Sequence, residues 1–327
     1  MKTTSGQGYD GSLELQIEQA FPGDSAYEAA LRHVLGGDGL SRYQVTRRID
    51  HLRELADRQE LKLDLLMVAR RSGRLVTAVL AIESPGNTAL VYLPSRATTE
   101  AERRGLTECL TELKQRAWQR GNVLLQALLN LEDRCRSQAI STTGFRYLAE
   151  LIYMDRNVDD PVCAPPRRDI EWLAFDEALR PEFVAALDET YLDSLDCPNL
   201  TGLRNTDDVL RGHQATGVFD PQGWFLARIN GEAAGVLLTS RVAKRSALEI
   251  VYMGVCQRAR RQGVGNALLH RAVAVARGRG LDAITLAVDS INEPARRLYE
   301  RWRFLESARR RAWIAHRNDD PVYGATA

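Results

Sequence analysis

Apolar residues along this chain fall into two kinds of run, and the runs come in the same order twice. Short stretches rich in Val, Ile, Leu and Ala predict strands; longer stretches with apolar positions three and four apart predict helices. In the first half the pattern predicts strand 13–20, helices 26–35 and 43–59, strands 63–69, 75–82 and 89–93, helix 99–120, strand 123–128, helix 131–141 and strand 147–153. In the second half it predicts strand 169–175, helices 176–192 and 206–215, strands 224–229, 233–239 and 248–255, helix 265–279, strand 283–288, helix 292–302 and strand 309–315. Ser72-Gly73 and Asn230-Gly231 stand where each half needs a tight hairpin turn. Gly280 is the expected stop of helix 265–279.

The echo has a fixed register. Tyr92 and Tyr252 are 160 residues apart, Gly105 and Gly265 are 160 apart, and Phe145 and Phe304 are 159 apart. Such regular self-similarity reads as a tandem duplication. Residues 159–168 hold three prolines and four charges and read as a linker. The expected organisation is a flexible tail at 1–11, a domain at 12–158, the linker at 159–168, a second domain at 169–316 and a tail at 317–327. Each domain mixes hairpins with helices, which predicts an α/β fold with a mixed (α+β) sheet.

Composition narrows the function classes. Hydrophobic residues make up 44 % and charged residues 27 %, and the formal net charge is +1. Near-neutrality argues against a dedicated nucleic-acid partner. No stretch approaches the length of a membrane span, and the polar N-terminus has no apolar export core, so a cytoplasmic protein without a membrane partner is expected. Cys109, Cys135, Cys163, Cys197 and Cys256 are scattered, with no C-x-x-C pair, and the five histidines form no H-E-x-x-H pattern. No metal is therefore expected. His270 reads as an ordinary helix-surface residue, and Cys256, with no histidine placed beside it, as structural.

The chemistry gathers at residues 249–265. An apolar strand ends, a short basic loop follows, and Gly263 and Gly265 open a helix. A glycine-rich helix start presents unpaired N–H groups and the positive end of the helix dipole, which suits a phosphate or pyrophosphate. The Gly-Lys-Ser/Thr signature of P-loop nucleotide enzymes is absent.

Residues 169–316 resemble the GNAT superfamily of N-acetyltransferases. The family signature Arg/Gln-x-x-Gly-x-Gly/Ala is matched by Arg260-Arg261-Gln262-Gly263-Val264-Gly265. A hairpin lies upstream, a strand precedes the loop, and the helix after it is followed by a strand and a helix carrying Asn292 and Ala295-Arg296-Arg297-Leu298-Tyr299. Family members carry Gly-Phe after that last helix; here Arg303-Phe304 stands instead, while Gly144-Phe145 keeps the family form in the first half.

The resemblance implies an enzyme that moves an acetyl group from acetyl-CoA to a small-molecule or peptide amine. Main-chain N–H groups of Gln262, Gly263, Val264, Gly265 and Asn266 would hold the diphosphate, with positive charge from Arg260 and Arg261. Met253, Gly254 and Val255 would pair with the pantetheine amides, Gly254 marking a bulge or a close ligand approach. Glu249 would act as base, Tyr299 would stand by the sulfur, and Asn292 would cap its helix and contact the cofactor. In the first half Glu100, Arg103, Ala89 and Ile140 stand where Arg260, Gly263, Glu249 and Tyr299 would be, so that copy is expected to be degenerate. Two other readings stay open: a non-catalytic acyl-CoA sensor, and transfer of longer acyl groups.

The acceptor side is expected at 190–217, with Tyr191, Asp193, Asp196, Asn199, Asn205, Asp207 and Asp208. These residues suit a cationic amine, or else a polar loop with helix caps at Asn205 and Asp207. The run Arg309-Arg310-Arg311 reads as a solvated strand edge. Nothing in the sequence sets the oligomeric state.

Overall fold

The two sets of apolar runs become two matching series of elements. The protein is seen here as a computed structural model that describes residues 14–37, 40–59, 61–162, 167–242 and 245–323. The first series is β1 (Gln16–Ala20), α1 (Tyr27–Leu35), α2 (Arg42–Gln59), β2 (Leu65–Arg71), β3 (Arg74–Ser84), β4 (Thr88–Tyr92), α3 (Glu100–Gln119), β5 (Leu124–Leu129), α4 (Arg134–Thr142) and β6 (Arg146–Asn157). The second is β7 (Glu171–Ala174), α5 (Arg180–Tyr191), α6 (Thr206–Gln214), β8 (Val218–Phe219), β9 (Phe225–Ile229), β10 (Glu232–Arg241), β11 (Ala247–Val255), α7 (Val264–Gly278), β12 (Ala283–Asp289), α8 (Glu293–Arg301) and β13 (Leu305–His316). Among the described residues, only the two-residue β8 has no counterpart in the predicted strands. The tail expected at 1–11 and the centre of the linker lie outside the described residues. None of the helices described is long and apolar enough to cross a membrane.

Both hairpins form as their turn residues require. Ser72 and Gly73 have φ of 52° and 73°, and Asn230 and Gly231 have 52° and 82°, the paired positive values of the turn that matches strand twist. Gly280 also stands at positive φ, 63°, where α7 ends.

The chain forms two compact units. In the first, β2 pairs antiparallel with β1 and β3. Leu66, Val68, Ala78 and Leu80 face Leu31, Val34 and Ile49 of α1 and α2. α3 lies against β2, and Gly105 lets it approach: a Cβ there would fall 2.9 Å from the Ala69 Cβ.

The second unit contains a sheet in the order β5-β13-β6-β12-β11-β10-β9-β7. Only β11 and β12 run parallel among its neighbouring pairs. Leu248, Ile250, Ile284, Leu286, Ile152 and Met154 form a core with Leu268, Ala272 and Ala276 of α7 and Tyr299 and Trp302 at α8. On the opposite face, Val236 and Leu238 pack with Phe183 and Leu187 of α5 and Leu210 of α6.

The compact units do not follow the expected cut at 158. β5 and β6 come from the first half of the sequence, yet they flank β13, and β6 also pairs with β12. At the expected strand edge, Arg309 and Arg310 pair on one side only, with Ile152 and Leu151 of β6, and β5 joins on the other side from Arg311 onward. Arg309 is held by Glu150 of β6 at 2.8 Å and by Glu306 at 2.6 Å. Residues 317–319 continue β13 as a short helical turn, and the Arg317 N–H donates to the Val123 carbonyl at 2.9 Å.

Candidate functional site

β11 and β12 begin side by side and then part. Their pairing runs from Ala247↔Ala283 to Ile250↔Leu286 and stops. Beyond that point β11 continues with β10, and β12 continues with β6. The pairing of β10 with β11 shifts at Leu238/Thr239, which leaves Val251 as an extra residue where the strands separate. A bulge bends and twists its strand, and this one turns β11 away from β12. The resulting cleft has a volume of about 700 Å³. Ile250 to Val255 line one wall, Leu286 to Val288 the other, with the start of α7, the start of α8 and the loop after α5 closing it.

The start of α7 points its main chain into this cleft. Gly263 is the N-cap, with φ 82° and no side chain capping the helix. The first intrahelical bond runs from the Ala267 N–H to the Gly263 carbonyl, so the N–H groups of Val264, Gly265 and Asn266 have no partner within the helix. These are donors for an anion. Packing fixes the turn: Val264 is 1 % exposed, and a Cβ on Gly265 would fall 3.0 Å from Leu298 Cδ2. Asn266 Oδ1 accepts from the Trp302 indole at 2.9 Å, which ties α7 to α8.

The two arginines of the loop part company. Arg261 lines the cleft with φ 62°. The Arg260 guanidinium, expected at the diphosphate, instead donates to the carbonyls of Thr190 (3.1 Å), Leu192 (2.6 Å), Asp193 (3.2 Å) and Val255 (3.3 Å). It closes the C-terminal end of α5, where carbonyls lack helical partners. Gln262 turns its amide to the Arg258 carbonyl at 2.8 Å and is not on the cleft wall. Gly254 is on the wall, but what approaches it is Thr190 and Tyr252; the bulge is at Val251.

Tyr299 is 6 % exposed and reaches the cleft from α8, its ring edge-on to Phe304 at 5.6 Å. Burial, with the Asp196 carboxylate adding to it, raises its pKa well above the usual range and keeps the hydroxyl protonated. Asn292 caps α8, its Oδ1 accepting from the Ala295 N–H at 3.3 Å, and it also lines the cleft. Glu249 lies one residue before the wall begins, opposite Thr285 where the sheet is still closed. Its burial raises its pKa, which makes it a better proton acceptor than an ordinary carboxylate. The cleft thus gathers Met253, Gly254, Val255, Arg260, Arg261, Gly263, Val264, Gly265, Asn266, Asn292 and Tyr299, and leaves Gln262 and Glu249 beside it.

Sequence reasoning placed Asp196 on the acceptor side but missed Asp289, the residue that pairs with it at the mouth. The Asp289 N–H donates to Asp196 Oδ1 at 3.0 Å, and Asp289 Oδ2 accepts from the Cys197 N–H at 3.1 Å. Cys197 takes a left-handed conformation (φ 47°, ψ 55°) in this clamp. On the α5 side the Tyr252 hydroxyl meets Thr190 Oγ1 at 2.7 Å, and its ring lies 5.5 Å from Tyr191 and 5.8 Å from His213. Burial, aided by Arg204, lowers the His213 pKa to about 4. Asn205 caps α6 by accepting from the Asp207 N–H at 2.8 Å. Asp207 is not a cap but pairs with Arg180 at 3.0 Å and Arg211 at 2.9 Å. Burial raises the Cys256 thiol to about 11, which leaves it unreactive. His270 packs edge-on against Trp302 at 4.8 Å.

In the first unit the counterpart of this helix start is closed. By the 160-residue register a twin of α7 would begin at 104, but α3 begins at Glu100, so a helical turn replaces the loop. Thr99 and Glu102 form a reciprocal capping box. Glu102 Oε2 accepts from the N–H groups of Thr98 (2.7 Å) and Thr99 (2.8 Å), placing a carboxylate where an anion would sit.

Residues 164–304 match the family described as Acetyltransferase (GNAT) family. The mycothiol acetyltransferase of Thermomonospora curvata is 39 % identical over 103 residues, 32 % of this chain and 34 % of that protein. That of Beutenbergia cavernae is 38 % identical over 98 residues, 29 % of this chain and 32 % of that protein. The match thus spans about a third of the length of these curated relatives. Among solved structures, a GCN5-related N-acetyltransferase from Sphaerobacter thermophilus is similar with a TM-score of 0.60 at 17 % identity, covering 92 % of this chain and 95 % of that one. A tandem GNAT protein from the clavulanic acid biosynthesis pathway gives 0.55 at 16 %, covering 94 % and 99 %. These two structures share the fold across both halves.

Proposed function

Residues 164–304 are a domain of the GNAT acetyltransferase family, and from that premise we propose that the chain transfers an acetyl group from acetyl-CoA to a primary amine. The acceptor is a small molecule or a peptide, and transfer is direct, within a ternary complex. The observation that carries the reading is the uncapped start of α7, which opens its N–H groups into the split between β11 and β12 while Tyr299 reaches the same cleft.

The residues divide the work. The first-turn N–H groups and Arg261 bind the diphosphate, and the free edge of Met253–Val255 offers main-chain groups to the pantetheine amides. Arg260 acts at one remove, by holding the end of α5 against the loop. Glu249 takes the proton from the ammonium through water, since it stands beside the cleft rather than on its wall. The amine nitrogen then forms a bond to the thioester carbon and the carbon–sulfur bond breaks. The Tyr299 hydroxyl donates a hydrogen bond to the sulfur as charge develops there, and the proton that the nitrogen sheds on becoming an amide goes to the departing thiolate, which leaves as the thiol.

Calorimetry with acetyl-CoA, followed by thiol release against a panel of amines, tests the proposal. Tyr299→Phe is expected to lower kcat by about 10- to 1000-fold with cofactor affinity unchanged. Binding without turnover on any amine would mark a sensor rather than an enzyme, and faster turnover of longer acyl-CoA would change the donor. No association with coenzyme A or its acyl forms would overturn the whole reading.

A further inference from the structure

A cleft that receives a thioester must also receive the amine, and Asp196, one of the carboxylates on its wall and one of the residues expected on the acceptor side, has no part in the transfer steps above. Asp196 lies in the loop between α5 and α6 and shares the cleft with Tyr299, Asn292 and both diverging strands. We propose that Asp196 docks the ammonium group of the acceptor, and that the acceptor is therefore a primary amine with no carboxylate on the adjacent carbon. The proposal rests on the acetyl-transfer reading above and assigns its acceptor.

Three features support it. The first is that the carboxylate is held in place. Asp196 Oδ1 accepts from the Asp289 N–H at 3.0 Å, and the reciprocal bond from the Cys197 N–H to Asp289 at 3.1 Å locks the loop. The Asn292 side chain also bonds to it. A group fixed this way loses little freedom when it binds.

The second is that no protein cation neutralises it. Among the described residues Asp196 forms no salt bridge. Four arginines share the cleft wall: Arg260 is committed to four carbonyls, Arg297 pairs with Glu293, and neither these nor Arg261 and Arg301 form a salt bridge with Asp196. Asp196 is open to solvent through the cleft while the walls enclose it, and that enclosure, together with the Asp289 carboxylate, favours its neutral form. Such a carboxylate gains more from an incoming cation than one already paired.

The third is the sign of the charge that acts on it most directly. Asp289 stands beside Asp196 on β12, and Tyr299 of α8, Tyr252 of β11 and Tyr191 of α5 are near enough for the Asp196 charge to raise their pKa values further. A carboxylate on the carbon next to the amine would be brought against Asp196 and Asp289 and be repelled. An amide or a hydrogen at that position would not. Glu249 is separated from this role by its place before the cleft wall, so docking and proton removal fall to different carboxylates.

Matched acceptors decide it. Free amino acids, their carboxamides and their decarboxylated amines are compared at saturating acetyl-CoA in wild type and Asp196→Asn, with acetyl-CoA affinity measured by calorimetry on both. Wild type is expected to favour the carboxyl-free amines by about 10-fold or more in kcat/KM. Asp196→Asn is expected to raise KM for them by about 10- to 100-fold, the effect of losing a charge-assisted hydrogen bond, with kcat and cofactor affinity little changed. An unchanged KM, a loss confined to kcat, or a wild type that prefers free amino acids overturns the assignment, as does cofactor binding without turnover of any carboxyl-free amine. Should Asp196→Asn lose cofactor binding along with its fold, the wild-type preference alone decides. Failure of wild type to bind acetyl-CoA is a different result: it removes the proposed function, and this inference with it.

Discussion

Thr190 closes over Gly254 so tightly that a Cβ on the glycine would fall 2.7 Å from the threonine Cβ. The same atom would lie 2.6 Å from the Tyr252 hydroxyl. Gly254→Ala must therefore push α5 away from β11 or distort the cleft wall. Overpacking of this kind costs about 1–3 kcal/mol. A lowered urea midpoint and weaker acetyl-CoA binding by calorimetry are both expected. An alanine variant with wild-type stability would show that α5 yields freely.

Glu249 titrates on the rate and on the fold in opposite senses. Burial raises its pKa, so the base form, and with it kcat, appears as pH rises through that raised value. Glu249→Gln is expected to slow turnover by about 100-fold and to shift the remaining profile to higher pH, where the amine loses its proton unaided. For stability the sign reverses. The folded state binds the proton more tightly than the unfolded state, so the stabilising contribution is full below the unfolded pKa and is lost as pH rises through the folded one. Glu249→Gln should therefore raise Tm at pH 8 relative to wild type and leave it nearly unchanged at pH 4.

One acetyl-CoA per chain is the expected stoichiometry. The start of α3 already carries the Glu102 carboxylate on the N–H groups of Thr98 and Thr99. Burial pushes the Glu102 pKa up, but the bonds from Thr99 and Thr98 outweigh it and hold the pKa below its usual value, so the carboxylate is ionised at neutral pH. Thr99→Ala is expected to cost about 1 kcal/mol of stability through the lost cap and to leave acetyl-CoA affinity untouched. A second site in calorimetry would contradict this.

Arg303 occupies the turn where relatives carry glycine, and it keeps the glycine-like geometry with φ 62°; Gly144 holds the matching turn in the first half at φ 85°. A side chain in the left-handed region costs about 1–2 kcal/mol, and glycine returns part of that gain as extra freedom in the unfolded chain. Arg303→Gly should stabilise the protein by about 0.5 kcal/mol in urea titrations, with activity unchanged.

Local patterns were legible where local physics decides. Asn230-Gly231 can hardly be anything but a hairpin turn, and Gly263 and Gly265 announce an open helix start. Partners far away in sequence left no such mark. Arg309 looks like a solvated charge until Glu150, 159 residues earlier, is found 2.8 Å away. The Asp196–Asp289 clamp joins residues 93 apart, and no periodicity signals it. Arg260 sits in the expected signature, but its guanidinium turned to the end of α5, because the helix ended there with bare carbonyls. Gly254 reads in the sequence as a bulge or a close ligand approach, whereas the fold puts the bulge at Val251 and sets Thr190 against the glycine.

The interleaving of β5, β13 and β6 bears on how such a duplicated gene can age. Substitution could erase donor-binding chemistry in an earlier copy at no cost to the later one, and the Glu102 cap at the start of α3 is what such an erasure would leave. Deletion is another matter, because trimming away the earlier copy would also strip β13 of both its neighbours and β12 of one. Decay of sequence and retention of length would thereby be uncoupled, with β5 and β6 kept as framework for β12 and β13.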